Sequence, residues 1–399
     1  MKNLKTFLIS TFFLLLFTHL HAQRRDSIST PLRDPIGDLN AETIKAGKFP
    51  GALMLPSKNI SLAIGGFIQA TGFVDSHYRV KNELLLPGNL TDQNTEDGQF
   101  FLGAQSSRLY FDGRTDYDNI DVEAYIEMDF RGGLTMRHIY LKLQNKKGQS
   151  LIMGQTWSNV MDLAYIPPAI IEPPLGGTPL SRQAQIRFTT FLGEYWALAT
   201  SIEDPNNSDV IGNGYQALNK LPDVTARVSF DPTKRLHFSV STLFRSVQQS
   251  SDIDNSKLKQ PGFVSQVGMN VKIGKANLFT IVGGYGDGAE RYATGTDRVN
   301  GYAQNQEMQL HKSYGGFTAY RHQWNKKLRS LAFLCVWNVD NLPDAPYNSF
   351  KTSTSVLFNT IYHLSDYVNF GIEYSYINQD RYVKDFNQNH RIMFGIQVF

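Results

Sequence analysis

One cysteine, Cys335, stands in 399 residues. Its solitude excludes a disulfide framework and any zinc site built on thiolates. A formal net charge of +3 supplies no basic surface of the kind nucleic acid demands. Neither GxSxG, HExxH nor a phosphate-binding P-loop occurs, and the nine histidines are scattered without ligand spacing. No catalytic group, metal or cofactor is therefore expected. Past the N-terminus, no stretch approaches ~18 consecutive apolar residues, so no membrane-crossing helix is expected in the mature chain. From residue 60 onward there is no helical interlude either.

What the chain has is a leader and a long alternation. Lys2 and Lys5 precede an apolar run over 7–17, and His21-Ala22 offers a cleavage point, which reads as a secretory signal peptide over 1–22. Residues 23–59 are polar and broken by Pro31, Pro35, Pro50 and Pro56, which reads as a periplasmic N-terminal segment too short to be a domain. The rest, 60–399, has period two. In 121–131, Val122, Ala124, Ile126, Met128 and Phe130 fall on one face, and Asp121, Glu123, Tyr125, Glu127, Asp129 and Arg131 on the other.

About sixteen such strands are expected, near 60–76, 104–114, 120–131, 135–144, 149–157, 184–192, 195–203, 224–231, 236–248, 262–273, 277–285, 311–324, 328–340, 349–363, 367–379 and 390–399. Connections sort by parity. Links after even strands are short, and links after odd strands are mostly long, with Pro261 ending the fifth long one and the tight Gly132-Gly133 turn an exception. Short turns on one side and long loops on the other mark an all-β, transmembrane antiparallel β-barrel in a bacterial outer membrane. A sandwich or propeller has no reason to sort its loops that way.

The third long connection is unlike the others. Residues 155–183 carry Pro167-Pro168, Pro173-Pro174 and Gly176-Gly177, which forbid regular structure. Yet Met161, Leu163, Ile166, Ile170, Ile171 and Leu175 make the segment apolar. An apolar loop at that place is expected to fold into the barrel and form a constriction. The chain ends on Phe399, the residue type by which the barrel assembly machinery recognises a last strand, although here it falls on the opposite parity from the stripe Ile392, Phe394, Ile396 and Val398.

The segments 64–78, 107–114, 139–143, 154–162 and 181–188 resemble DcaP-type trimeric porins, which are related to phosphate-selective porins. The resemblance covers roughly 60–399. It implies a homotrimer of sixteen-stranded barrels in outer-membrane lipid, passing small polar or anionic organic solutes. Residues 23–59 lack the sustained heptads of the coiled coil that some members carry.

If the apolar parity faces lipid, the other parity faces the pore. The expected lining and solute-contacting residues are Arg108, Arg114, Tyr125, Glu127, Lys142, Glu172, Arg182, Arg187, Arg227 and Arg245. Opposed basic and acidic ladders would set a transverse field and select by charge. Arg187 and Arg108 lead as carboxylate contacts, because the guanidinium fork matches that group. Phe333, Trp337, Tyr195, Trp196, Tyr374 and Tyr376 suit aromatic girdles or a subunit interface. The expected function is passive diffusion of small hydrophilic, anionic organic solutes. The alternatives are a substrate-specific channel for phosphate or dicarboxylates, a barrel enzyme, and an adhesin.

Overall fold

The computed structural model describes residues 52–55, 60–80, 82–90, 97–206, 210–252, 256–297, 299–343, 345, 348–383 and 387–399. The expected signal peptide and most of segment 23–59 lie outside the described residues.

Sixteen antiparallel strands form one closed barrel. They are β1 (Ile60–Asp75), β2 (in two pieces, Gln99–Gly103 and Arg108–Tyr117), β3 (Ile120–Asp129), β4 (Thr135–Asn145), β5 (Ser150–Trp157), β6 (Arg182–Leu192), β7 (Trp196–Glu203), β8 (Asp223–Thr233), β9 (Leu236–Ser251), β10 (Lys257–Ile273), β11 (Asn277–Asp287), β12 (Lys312–Gln323), β13 (Leu328–Val339), β14 (Phe350–Ser365), β15 (Val368–Arg381) and β16 (Asn387–Val398). Closure runs from Ile68↔Val398 to Asp75↔Arg391 between β1 and β16. Below that register, the short strand Ala52–Leu55 pairs with 60–63 of β1, so the end of the N-terminal segment joins the sheet. The ring of Phe399 meets Phe67 edge-on at 6.1 Å.

All sixteen expected strands are present, and alternation explains them. Along β16, Ile392, Phe394, Ile396 and Val398 are 41–57% exposed while Arg391 and Met393 are buried. A soluble protein would not leave such a belt bare; lipid is the solvent it fits. Sharp turns close one rim, helped at Gly274 by a positive φ of 64° that a side chain would disfavour.

The expected boundaries differ in three places. Strand β2 is interrupted at 104–107 and starts earlier than expected. Pro261 does not end a loop: it lies inside β10, opposite Ser246 of β9. Pairing of β10 with β11 begins only at Phe263↔Asp287, so the missing proline N–H faces no neighbouring strand. Between β3 and β4 the register slips after Glu127↔His138 to Met128↔Met136, leaving Arg137 as a bulged residue.

Apart from the Arg137 bulge, apolar residues of one parity face outward along strands such as β13 and β16, but the inside is not uniformly polar. Val282, Phe317, Ala319, Leu331, Phe333, Cys335 and Leu357 form a buried apolar wall on the inner face of β11–β14. Phe333 and Trp337 are 2–3% exposed and belong to that inner face, not to a girdle. Their alternation with the outward Leu334 and Val336 makes both faces of this wall apolar, so sequence parity alone could not separate inside from outside.

Candidate functional site: an infolded loop and its charge cluster

The connection between Trp157 and Arg182 (L3) goes into the barrel and lines much of its inner wall. Its root is gripped by polar side chains of β7–β10. Asn159 donates to Ala199 O and Thr225 Oγ1, both at 2.9 Å, and its N–H donates to Glu203 Oε1 at 3.0 Å. Arg227 donates to Met161 O at 2.7 Å. Tyr165 OH donates to Gly268 O at 2.8 Å, and Asn270 to Ala164 O at 2.6 Å. The carboxylate of Asp162 caps a single turn of 3-10 helix, Leu163–Tyr165, through the Ala164 N–H at 3.1 Å. Burial pushes the Asp162 pKa up, but Arg227 and His237 outweigh burial and hold it below the usual carboxylate range.

Beyond its root, L3 is held by apolar contact. Met161, Leu163, Tyr165, Ile166 and Leu175 pack on the inner wall of β11–β14. Ile170 and Ile171 pack on Phe73, Ile361 and Met393. The backbone of Ile170 is pinned from both sides: its N–H donates to Glu373 Oε2 at 3.1 Å, and Gln69 donates to its carbonyl at 2.6 Å. The return leg passes so close to Trp337 that a Cβ on Gly177, whose φ is 82°, would sit inside the indole.

At the far side, Glu172 enters a cluster of charge. Arg108, Arg131 and Arg137 each donate to its Oε1, at 3.0, 3.1 and 3.1 Å. Arg137 also reaches Glu127 Oε1 and Asp129 Oδ2, both at 2.8 Å. Tyr125 OH donates to Glu127 Oε2 at 2.8 Å. Burial alone would raise the pKa of Glu172; Arg131, Arg137 and Arg108 overcome it, and the carboxyl sits well below its usual range. Three guanidinium groups against three carboxylates leave little net charge. The cluster is a latch between L3 and the β2–β4 wall.

The expected lining residues fall into separate groups. Arg108, Tyr125, Glu127 and Glu172 are brought together in the latch. Arg182 stacks on Trp157, its guanidinium 3.8 Å from the ring centroid, and its charge acts on Glu172. Arg187 is buried behind the L3 root, donating to Gln185 Oε1 at 2.8 Å and to Trp157 O. Arg227 holds Met161. Arg245 lies nearer the long-loop rim, donating to Gly288 O at 3.0 Å and Pro205 O at 3.1 Å. Arg114 and Lys142 line a separate recess towards the short-turn rim with Asp121 and Glu123, and Arg114 forks onto Asp112 at 2.6 and 2.9 Å.

Sequence reasoning missed Arg137. Alternation puts it with Ile139 and Leu141 on the lipid side, but the bulge turns it inward, where it is fully buried, and leaves Met136 outside. No sequence signal marks a bulge of this kind. Arg321 and Arg329 were missed as well, although both stand on the inward parity of their strands.

Two further loops cover L3. The connection 288–311 (L6) pairs with it through Gly177 N–H to Thr294 O at 2.6 Å and Leu180 N–H to Tyr292 O at 3.0 Å. The connection 76–98 (L1) joins L6 through Gly88 N–H to Gly295 O at 2.7 Å.

No protein-family model matches the sequence. No curated protein matches it either. Among solved structures, the chain is similar to the outer membrane channel DcaP of Acinetobacter baumannii, with a TM-score of 0.76 and 20% identity over 86% of this chain and 98% of that one. It is also similar to an anion-selective porin from Comamonas acidovorans (TM-score 0.58, 12% identity, 85% and 99% covered). A third similar structure is the trimer form of OmpT of Vibrio cholerae (TM-score 0.54, 11% identity, 84% and 99% covered). At these identities the likeness establishes the fold: a closed, sixteen-stranded barrel of the outer-membrane porin kind.

Proposed function

We propose that the protein is a passive outer-membrane channel, assembled as a homotrimer, for small hydrophilic and preferentially anionic organic solutes. The observation that carries this reading is L3 itself. A loop gripped at its root, packed along its length and latched at Glu172 narrows the lumen of a membrane barrel. Similarity of fold to a channel, to an anion-selective porin and to a trimeric barrel supports solute passage, anion preference and trimer in turn. The signal peptide over 1–22 and recognition of Phe399 by the assembly machinery belong to the same reading. The site-residue roles become more specific: Arg108, Arg182 and Glu172 set the position of L3, while Arg114 and Lys142 line the approach from the short-turn rim.

A barrel enzyme would need a serine and an oriented histidine at the wall. Ser76 Oγ lies 2.6 Å from His77 Nδ1, but among the described residues no carboxylate orients that ring. The contact is rim polarity, not a catalytic pair.

Single-channel conductance and reversal potentials in planar bilayers test the proposal. Steady conductance with an anion-selective reversal potential is expected. Absence of conductance would overturn the channel reading, and cation selectivity would overturn the solute class.

A further inference from the structure

The short-turn rim is unevenly charged. Three successive turns join β8 to β9, β10 to β11 and β12 to β13. On or beside them stand Lys234 and Arg235, Lys272 and Lys275, and Lys326 and Lys327, all exposed. Among the described residues none of these six cations makes an ion pair. The one described carboxylate on this arc is Asp231, and His237 Nδ1 lies 2.8 Å from it. The rest of the rim is mixed. Asp118, Glu194 and Asp366 stand exposed on the β2–β3, β6–β7 and β14–β15 turns, and Lys146 of the β4–β5 turn is held by Asp121 at 3.0 Å. Neighbouring turns are two strand spacings apart, about 10 Å, which is close to one Debye length. The six cations therefore act as one field, and their mutual repulsion weighs against the folded barrel unless an anion answers it.

The strands behind these turns indicate which anion. On the outer face of β9–β13, Phe244, Val267, Ile281 and Leu334 are 42–61% exposed and present hydrocarbon to lipid. Towards the short turn, β12 changes character: Tyr320, His322 and Trp324 follow one another on the outward parity. The indole of Trp324 is exposed, meets His322 edge-on at 4.3 Å and donates from Nε1 to Ser330 Oγ at 2.9 Å. A tryptophan fixed in this way suits the headgroup level of a membrane. Lys326 and Lys327 come directly after it. Hydrocarbon, then amphipathic rings, then ammonium groups match acyl chain, glycerol and phosphate in a leaflet. The turns, 234–235, 274–276 and 324–327, are too short to carry these cations away from the membrane boundary.

We propose that the β8–β13 arc of the short-turn rim is a docking surface for anionic phospholipids of the periplasmic leaflet. A phosphatidylglycerol headgroup brings the lysines an uncompensated phosphodiester charge. Phosphatidylcholine brings the same phosphate already balanced by its own ammonium. The acyl chains lie on the outward belt of β9–β13. The inference needs only the barrel's place in a membrane and stands apart from the solute reading.

The test is native mass spectrometry of the purified, full-length protein in neutral detergent, titrated with phosphatidylglycerol and with phosphatidylcholine of the same chains. Phosphatidylglycerol should bind roughly fivefold more tightly or better, and the preference should shrink as ammonium acetate is raised. Equal binding of the two lipids by the parent would overturn the proposal with no substitution involved. Two matched variants then place the surface, because the β4–β5 and β12–β13 turns both carry an Asn-Lys-Lys run. Lys326→Gln with Lys327→Gln should lower the preference about threefold, and Lys146→Gln with Lys147→Gln should leave it unchanged. Equal losses would show a response to total charge and overturn the assignment to this arc. Glycerol 3-phosphate, the headgroup phosphate without chains, should not displace the lipid at equal concentration. Displacement would make the arc a free-phosphate site and overturn the lipid assignment.

Discussion

Glu172 shows how a single side chain can fix a loop. It brings one carboxylate to three guanidinium groups, one of which, that of Arg137, is fully buried. Removing one partner of a buried ion pair costs about 3–5 kcal/mol because the remaining charge is uncompensated. Glu172→Gln keeps an acceptor oxygen, so a loss near the lower figure is expected, read as a lower melting temperature together with noisier single-channel current. A silent variant would mean that apolar packing alone holds L3. Because the Glu172 pKa is depressed in the folded protein, the stability it contributes is full above the ordinary carboxylate value of 4.5 and disappears only as pH falls through the depressed value. The latch should hold at pH 5. At this scale the sequence was partly legible. Arg108, Glu127 and Glu172 could be read as lumen charges, but their mutual pairing depends on a loop crossing the barrel, and Arg137 depends on a bulge.

L3 and L6 act as a stacked pair of elements. Deleting 167–177 removes the latch and the contacts of Ile170, Ile171 and Leu175 while leaving the strands intact. Conductance should rise several-fold. The bared inner wall of Phe317, Leu331, Phe333 and Leu357 should lower thermal stability at the same time. An unchanged conductance would show that the loop does not limit flow. L6 carries its own pH response. Glu290 is buried beside Thr296, Asp297, His311 and Ser313, and Asp297 is already held by Arg381 at 2.5 Å. Burial pushes the Glu290 pKa up to about 7; the Ser313 and Thr296 hydroxyls lower it slightly, and Asp297 raises it. A folded-state value raised above the unfolded one means that stability is lost as pH climbs from about 4.5 to about 7. Melting temperature should fall across that window in the parent and fall less in Glu290→Gln. Parallel curves for the two proteins would refute the role. The position and apolar character of L3 were legible from prolines and hydrophobics that no solvated loop would tolerate. Its partners in L1 and L6 were not, because contacts between loops leave no periodic trace.

For the whole molecule, closure in lipid is the governing fact. Phe394 and Ile392 are 50% and 57% exposed on the outer face of β16, flanked by buried Met393 and Arg391. An arginine at a lipid-facing position near mid-membrane costs about 2–4 kcal/mol. Phe394→Arg should therefore lower refolding stability in lipid by that order, while Gln397→Arg, on the lumen side, should not. Equal effects would argue that this face is covered by protein, as a subunit interface would cover it. The sequence by itself determined the class, the strand count, the sorting of loops and the inward plunge of one of them. Those follow from local chemistry: a two-residue period, turn residues, and prolines in an apolar setting. Only the tertiary structure decided which charges meet, which are left unanswered, and which wall is apolar on both faces. Ion pairing and close packing are relations between strands distant in sequence, set by register, a bulge and the path of a loop.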